Sequence, residues 1–287
     1  MPRIAYVNGH YGALAEAMVH VEDRGFQFAD AVYEVWAVLG GRLSDSEGHF
    51  ERLERSLGEL RIALPMTRAA LRRVLGETVR RNRIRDGLVY LQVTRGQARR
   101  DHAFPDPAPH PTVVITAKPL DFPQMDAKAR DGVAVITAPD IRWGRCDIKT
   151  VGLLPNSLAK QAAKEAGAFE AWLIDREGKV TEGASTNAWI VDQQGRLRTR
   201  DTSANILRGI TRKTLIELAK DCQVEVLEQP FTLEEAKSAR EAFITAASVF
   251  LTPVVAIDGE PVGDGKPGPL TLRLRELYIT QARETAA

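Results

Sequence analysis

Between positions 31 and 39 the chain reads Ala-Val-Tyr-Glu-Val-Trp-Ala-Val-Leu, apolar at nearly every step and rich in β-branched side chains. Such a run predicts a well-buried strand rather than a helix, and Gly40-Gly41 turns the chain after it. The period then changes. Phe50, Leu53, Leu57 and Leu60 recur at the spacing of one helical face, preceded by Ser44 and Glu47 at capping-box spacing, which predicts a helix over 45–61. Thr67 caps a second helix whose apolar stripe is Leu71, Val74, Leu75 and Val79. Ahead of these lie a short strand at 4–7, an Asn8-Gly9 turn and a strand near 17–19. After them, strands are expected at 88–93 and 112–117, joined by a loop over 95–111 that is dense in Pro, Arg and Asp. Charged loops between strands are common places for ligand contact.

The stretch from 119 to 130 is polar, proline-bearing and aperiodic, so it reads as a connection between domains. Beyond it, apolar runs at 132–136, 169–174, 188–191, 197–199, 242–245 and 254–257 predict strands. Helices are expected at 156–166, ended by Gly167, at 211–221, and at the close of the chain. Thr232 and Glu235 form a further capping box, and Asp258-Gly259 marks a hairpin. The mixture predicts an α/β (α+β) protein of two domains: a smaller one over 1–120, a linker at 121–130 and a larger one over 131–287.

Composition narrows the function classes. With 44% apolar and 27% charged residues in 287, the chain has the make-up of a soluble globular protein. Its formal net charge of +1 gives no whole-molecule field to gather nucleic acid or an anionic membrane, so any anion must be bound locally. Arg72, Arg73, Arg80 and Arg81 lie among glutamates on what reads as the solvated face of a helix. Cys146 and Cys222 form no zinc-type cluster and are too few to staple the chain, which leaves them as reduced thiols and no metal expected. Neither a secretory signal nor a membrane-spanning run is apparent, and a cytoplasmic protein is expected.

Three local features carry candidate chemistry. Gly209-Ile210-Thr211 opens a predicted helix, where free backbone N–H groups can cup a phosphate; ordinary capping accounts for the same residues. Arg100-Asp101-His102 sits in the charged loop, where an arginine fork and an imidazole could take a carboxylate; an unremarkable surface loop is the alternative. Lys149 follows Cys146-Asp147-Ile148 and adjoins Val151, Leu153 and Leu154, surroundings suited to a nucleophilic amine, although most lysines are simply solvated.

These features gain weight together. The segments Glu22-Asp-Arg-Gly-Phe-Gln-Phe-Ala-Asp30, Val32-Tyr-Glu-Val35, His49-Phe-Glu-Arg-Leu53, Gln92-Val-Thr-Arg-Gly96, Asp140-Ile-Arg-Trp143, Arg145-Cys-Asp-Ile-Lys149, Ala159-Lys-Gln161, Val180-Thr-Glu-Gly183 and Gly209-Ile-Thr-Arg212 occur in an order that resembles the class IV, fold-type-IV aminotransferases over nearly the whole chain. Among them the D-amino-acid transaminases are most similar. A set of dispersed motifs in order is far more specific than any one of them.

The resemblance implies pyridoxal 5'-phosphate at the junction of the two domains and a homodimer in which loops of one subunit border the site of the other. Lys149 corresponds to the lysine that carries the cofactor and moves the substrate proton, and Glu182 to the acid on the pyridine nitrogen. Arg52 matches the phosphate clamp, with Ile210 and Thr211 as backbone donors behind Gly209, and Leu207 matches the side chain packed on the ring. Ser185 falls where the family places a hydroxyl near the cofactor. A rival for Arg52 is a surface arginine paired with Glu51 and Glu54. Tyr33, Arg100 and His102 coincide with a carboxylate trap, and Val35 is expected in the side-chain pocket.

At Thr245-Ala-Ala-Ser-Val-Phe250 the chain departs from its relatives, with alanines and Phe250 in a hydroxyl-rich stretch; there Ala247 and Ser248 are expected to bind phosphate through their backbones. The implied reaction is ping-pong transamination of D-alanine, D-glutamate or D-aspartate with 2-oxoglutarate or pyruvate. A branched-chain L-amino-acid aminotransferase, an R-selective amine transaminase, an aminodeoxychorismate lyase, or a binding protein on the same fold are the alternatives.

Overall fold

The computed structural model describes residues 3–202 and 206–286 and divides the chain into two units. The first holds residues 1–121 with the inserted piece Ile148–Gly152 and the terminal 282–287; the second holds 122–147 and 153–281.

In the first unit, β1 (Ile4–Val7) and β2 (His10–Ala13) form a hairpin across Asn8-Gly9, with Val7 opposite His10. Asn8 and Gly9 both take positive φ, 46° and 95°, as a two-residue hairpin turn of this hand demands. That turn dictates that the partner strand begin at residue 10. The strand expected near 17–19 is absent: a 3-10 turn at Leu14–Glu16 ends the hairpin, and Met18, Val19 and Val21 face solvent. After α1 (Arg24–Phe28) comes β3 over Ala31–Leu39, the range read from its apolar run, and then β4 (Arg42–Leu43). Helices α2 (Ser46–Glu59) and α3 (Arg68–Arg81) follow, then β5 (Gly87–Thr94) and β6 (Thr112–Pro119). Among the described residues the strands make one sheet in the order β2-β1-β6-β5-β3-β4, antiparallel throughout. Phe50, Leu53 and Leu57 of α2 and Leu71, Leu75 and Val79 of α3 cover Val32, Trp36, Val89, Leu91 and Ile115. Truncating a side chain as buried as Leu75 would cost about 2–5 kcal/mol.

The capping box expected at Ser44 does not form. Asp45, in a left-handed conformation with φ 49°, is the N-cap and makes no side-chain cap. Ser44 instead extends the β3-β4 hairpin through its N–H to Ala37 O at 2.9 Å, and Glu47 pairs with Arg68 and Arg72. Thr67 does cap α3, accepting from Ala70 N at 3.3 Å. Arg80 and Arg81 pair with Glu77 on its wet face.

The second unit opens where a linker is expected, yet the chain is helical: α4 spans Phe122–Asp131. Its polar surface carries no apolar period, but Phe122 packs against Phe250 and Asp126 pairs with Arg275 at 2.8 Å, and Pro123 sits in the first turn, where proline is tolerated. Packing, not pattern, makes this helix. There follow β7 (Val133–Pro139), α5 (Leu154–Glu165), β8 (Glu170–Ile174), β9 (Val180–Gly183), β10 (Asn187–Val191) and β11 (Leu197–Thr199). Next come α6 (Ile210–Asp221), β12 (Val226–Glu228), α7 (Leu233–Lys237), β13 (Glu241–Ala246) and β14 (Phe250–Ile257). The short β15 (Glu260–Pro261) and α8 (Pro269–Glu284) complete it. Among the described residues the sheet order is β12-β11-β10-β13-β14-β7-β8-β9, with β15 on β14. Parallel pairs at β14-β7, β7-β8 and β11-β12 mix with antiparallel ones. Trp172, Phe231, Ile190, Ile244 and Val254 form its core, and the capping box at Thr232 and Glu235 forms as the spacing predicts. Among the described residues no helix is long and apolar enough to cross a membrane, and no cluster of His, Cys, Asp and Glu is arranged to hold a metal.

Candidate active site

Lys149 lies in the piece of chain that returns to the first unit. Its carbonyl accepts from Tyr33 N at 3.0 Å, Val151 N donates to Ala31 O at 3.2 Å, and its own N–H lies 3.4 Å from Ser56 Oγ. The residue is thereby laid along the start of β3. Its Nζ stands 4.2 Å from the centre of the Tyr33 ring, which stacks on Tyr90 at 5.6 Å. Burial, reinforced by Tyr33, pushes the Tyr90 phenol up to about 12. Among the described residues the Lys149 amine has no hydrogen-bond or ion-pair partner. Val35 follows Tyr33 by two residues on β3, so the two share a sheet face.

The opposite face of β3 carries Glu34, fully buried. Arg52 of α2 forks onto it, Nε to Oε1 at 2.6 Å and Nη2 to Oε2 at 2.8 Å, and His49 Nδ1 lies 2.8 Å from Oε2. Arg52 is thus a buried arginine held by the neighbouring strand, not a surface residue paired with Glu51 and Glu54. Burial works to raise the Glu34 pKa, but the Arg52 charge and the bonds from Arg52 and His49 hold it far below the usual carboxylate range. Burial pushes His49 down, so a neutral ring donating Nδ1–H to Glu34 accounts for the contact.

Arg100 and His102 are both exposed, and both gather on Phe28: the Arg100 guanidinium lies 4.6 Å from that ring's centre and the His102 ring 5.5 Å. Lys149 and Tyr33 are in direct contact; Arg100 and His102 converge around the end of α1 instead.

In the second unit the centre is Glu182, at the end of β9 and buried. Arg142 Nη1 donates to its Oε1, Leu207 N donates to the same oxygen at 3.1 Å, and Asn187 Nδ2 donates to Oε2 at 2.9 Å. Arg142 also forks onto Asp140, which accepts from the Thr181 hydroxyl at 2.7 Å. Burial opposes charge on Arg142, but Asp140 and Glu182 more than offset it, so it stays a cation. Burial pushes the thiol of Cys146, half-buried nearby, up to about 11, which disfavours the thiolate.

Asn187 Nδ2 also donates to Leu207 O at 3.1 Å, so one side-chain amide holds both Glu182 and the residue before the α6 entry. At that entry Gly209 is the N-cap with no side-chain cap, and a Cβ on it would meet Asn187 Oδ1 at 2.0 Å. Only glycine lets the chain pass so close. The leading amides of α6, at Ile210 and Thr211, are of the kind that lack intrahelical acceptors. The Thr211 hydroxyl lies 3.4 Å from Tyr278 Oη.

Ser185 donates its hydroxyl to fully buried Glu170 at 2.7 Å. Ala247 and Ser248 occupy the half-buried turn between β13 and β14, closed by Val249 N to Ala246 O at 3.1 Å. Phe250 is a core residue between Phe122 and Tyr278; the departure at that position fills the interior.

A family model described as amino-transferase class IV matches residues 31–257. The chain belongs to that family. It is 42% identical over 272 residues, 94% of this chain and 95% of the other, to D-alanine aminotransferase of Staphylococcus haemolyticus, and 42% identical over 264 residues, 92% of each chain, to that of Bacillus licheniformis. Among solved structures, a T.th. branched-chain amino acid aminotransferase with pyridoxamine 5'-phosphate superposes with a TM-score of 0.89 at 29% identity, covering 99% of this chain and 95% of that one.

Within this class IV chain, three side chains of evident electrostatic importance carry no role in the sequence reading. Arg142 and Glu34 both lie inside quoted motifs, Asp140-Ile-Arg-Trp143 and Val32-Tyr-Glu-Val35, yet nothing in the spacing pairs Arg142 with Glu182 or Glu34 with Arg52. Asn187 had one signal only: an amide at the head of an otherwise apolar strand, a polar group that burial obliges to find partners.

Proposed function

We propose that this class IV chain is a pyridoxal 5'-phosphate-dependent transaminase that moves the amino group of D-alanine, D-glutamate or D-aspartate to a 2-oxo acid such as 2-oxoglutarate or pyruvate, in a ping-pong cycle. The observation that carries the substrate class is 42% identity over 94% of the chain to a D-alanine aminotransferase, against 29% to a branched-chain enzyme of almost the same backbone. The donor set fits the cofactor. An amine without a hydrogen-bond or ion-pair partner among the described residues, a buried carboxylate held in place by an arginine, an amide and a backbone N–H, and an uncapped helix start match its aldehyde, its ring nitrogen and its phosphate.

When bound, pyridoxal phosphate supplies an aldehyde carbon and a ring that accepts electrons. Lys149 would hold it between turnovers and, once the substrate amine has displaced its Nζ, would take the proton from substrate Cα on that nitrogen and deliver a proton where the amino group is left. Glu182 keeps a proton on the ring nitrogen, and Leu207 packs on the ring. Ile210, Thr211, Ala247 and Ser248 hold the phosphate through backbone N–H groups, with Arg52 adding charge. Ser185, whose hydroxyl donates to Glu170, borders the cofactor. Arg100, His102 and the Tyr33 hydroxyl take the substrate carboxylate, and Val35 borders its side chain. The assembly is a homodimer; Met18, Val21 and Phe26, exposed at 82%, 71% and 75%, support a second copy covering this segment.

The test is a half-reaction followed by the absorbance of the coloured enzyme with D-alanine, L-alanine and L-leucine in turn. Conversion by the D isomer alone is expected. Conversion by L-leucine and not by D-alanine would make this a branched-chain enzyme, and pyruvate release from aminodeoxychorismate would make it a lyase.

A further inference from the structure

The loop bearing Arg100 and His102 is not held by those two side chains. It is held from below by a buried ionic cluster in the same unit. Arg24, the first residue of α1, is 3% exposed; its Nε donates to Asp30 Oδ2 at 2.8 Å, its Nη1 to Asp101 O at 2.6 Å, and its Nη2 lies 3.4 Å from His102 O. Arg95 meets the same carboxylate, Nε to the shared Oδ2 at 2.7 Å and Nη2 to Oδ1 at 3.0 Å, and donates onward to Leu60 O and Arg61 O at the end of α2. Two guanidinium groups thus share one carboxylate, and their remaining donors go to backbone carbonyls. The ladder continues outside the cluster: Arg24 N donates to Gly96 O at 2.9 Å, Ala98 N to Glu22 O at 3.3 Å, and Thr94 Oγ1 to Asp23 Oδ2 at 2.9 Å. Gly25 allows this approach, since a Cβ there would meet Thr94 Cγ2 at 2.4 Å.

The carbonyls that Arg24 grips are those of the residue between Arg100 and His102 and of His102 itself. The Phe28 ring, one helical turn further on in α1, is the surface on which both side chains rest; the Arg24 guanidinium lies 4.8 Å from the same ring. An exposed arginine has several rotatable bonds and loses rotamer entropy when it binds a carboxylate. Fixing the backbone under it spares the further cost of ordering the loop, which is met before the substrate arrives.

We propose that Arg24, anchored on Asp30, is a positioning residue for the substrate carboxylate: its guanidinium fixes the backbone at Asp101 and His102 so that the Arg100 and His102 side chains are presented together. The proposal rests on the assignment of Arg100 and His102 to that carboxylate. A lysine at position 24 can keep the charge opposite Asp30 but lacks the planar fork that reaches two carbonyls at once.

The experiment compares the holoenzyme with Arg24→Lys, Arg100→Ala and the double variant, measuring KM and kcat for D-glutamate, and amide hydrogen exchange over residues 98–105. Arg24→Lys is expected to raise KM about tenfold, the equivalent of one charge-assisted hydrogen bond, with a much smaller change in kcat, and to speed exchange in the loop. On the Arg100→Ala background it should add a clearly smaller rise in KM, the part carried by His102. If Arg100→Ala raises KM and Arg24→Lys changes neither KM nor exchange, the positioning role is overturned. An additive rise in the double variant would also overturn it, since Arg24 would then act independently of Arg100. If Arg100→Ala itself leaves KM unchanged, the carboxylate assignment falls first and takes the positioning role with it. Should Arg24→Lys fail to fold, Arg24→Gln, which can still reach one carbonyl, replaces it with the same expected ordering.

Discussion

Lys149 and Glu182 stand in opposite electrostatic settings, each within its own unit. The lysine amine has no hydrogen-bond or ion-pair partner among the described residues and lies over an aromatic ring. Glu182 is buried and receives donors from an arginine, an asparagine and a backbone N–H. The difference follows from what each group is proposed to do. A nucleophile that must also carry a proton works only if its lone pair is not already engaged. A carboxylate that must remain charged beside a ring nitrogen needs its charge and orientation fixed in advance. One group is therefore left available and the other is over-determined, and the second condition is met by Arg142, Asn187 and the Leu207 N–H.

The sharpest way to break this contrast is to remove the available group. Lys149→Ala should lower turnover by roughly 10⁴-fold or more while leaving the fold intact, because among the described residues the side chain makes no hydrogen bond or ion pair. Borohydride reduction and peptide mapping of the parent enzyme should find the cofactor on Lys149, and a tag on any other lysine would end the assignment. At Glu182 the consequences run the other way. Glu182→Gln should lower kcat by about 10²–10³-fold, and Arg142→Met should also destabilise the protein, by about 3–5 kcal/mol, because Asp140 and Glu182 lose their shared buried counter-charge. Denaturant unfolding distinguishes the two variants. An Arg142→Met protein as stable as the parent would mean that Glu182 is held by Asn187 and Leu207 alone.

The smallest effect concerns acid. Glu34 and His49 both have folded pKa values below their ordinary ones, so the folded state binds fewer protons than the unfolded chain and stability rises with pH. Their contribution is complete above the ordinary values of 6.5 for histidine and 4.5 for glutamate. It is lost first as pH falls below 6.5, through His49, and then below 4.5, through Glu34. Thermal midpoints measured from pH 8 downward should decline in that order, and His49→Gln should flatten the upper part of the decline. A midpoint in the parent that is flat from pH 7 to 5 would contradict the neutral, buried His49.

Much of the first unit was legible in the chain. The run at 31–39 is β3, and the stripe of Leu71, Leu75 and Val79 is the buried face of α3. The order of motifs was legible too, and the family match over 31–257 agrees with it; the assignments of Lys149, Glu182 and the helix start at Gly209 rest on that order. Errors fell where two signals competed. Apolarity near 17–19 suggested a strand, but the two-residue turn at Asn8-Gly9 had already placed it at 10–13. Proline and polarity at 119–130 suggested a linker, but packing of Phe122 on Phe250 made a helix. Ser44 and Glu47 had capping-box spacing, but a left-handed Asp45 took the capping position.

By itself, the sequence determined where periodicity changes, which side chains must be buried, and which residues of known chemistry occur in a family's order, since each of these is written in local spacing. It did not determine that Glu34 holds Arg52, that Asn187 joins Glu182 to Leu207, or that Arg24 grips the loop of Arg100 and His102. Those partners lie from 5 to 78 positions apart in the chain, and what brings them together is burial. A charged or amide group removed from water must satisfy its hydrogen bonds with whatever the fold places beside it, and only the folded chain decides what that is.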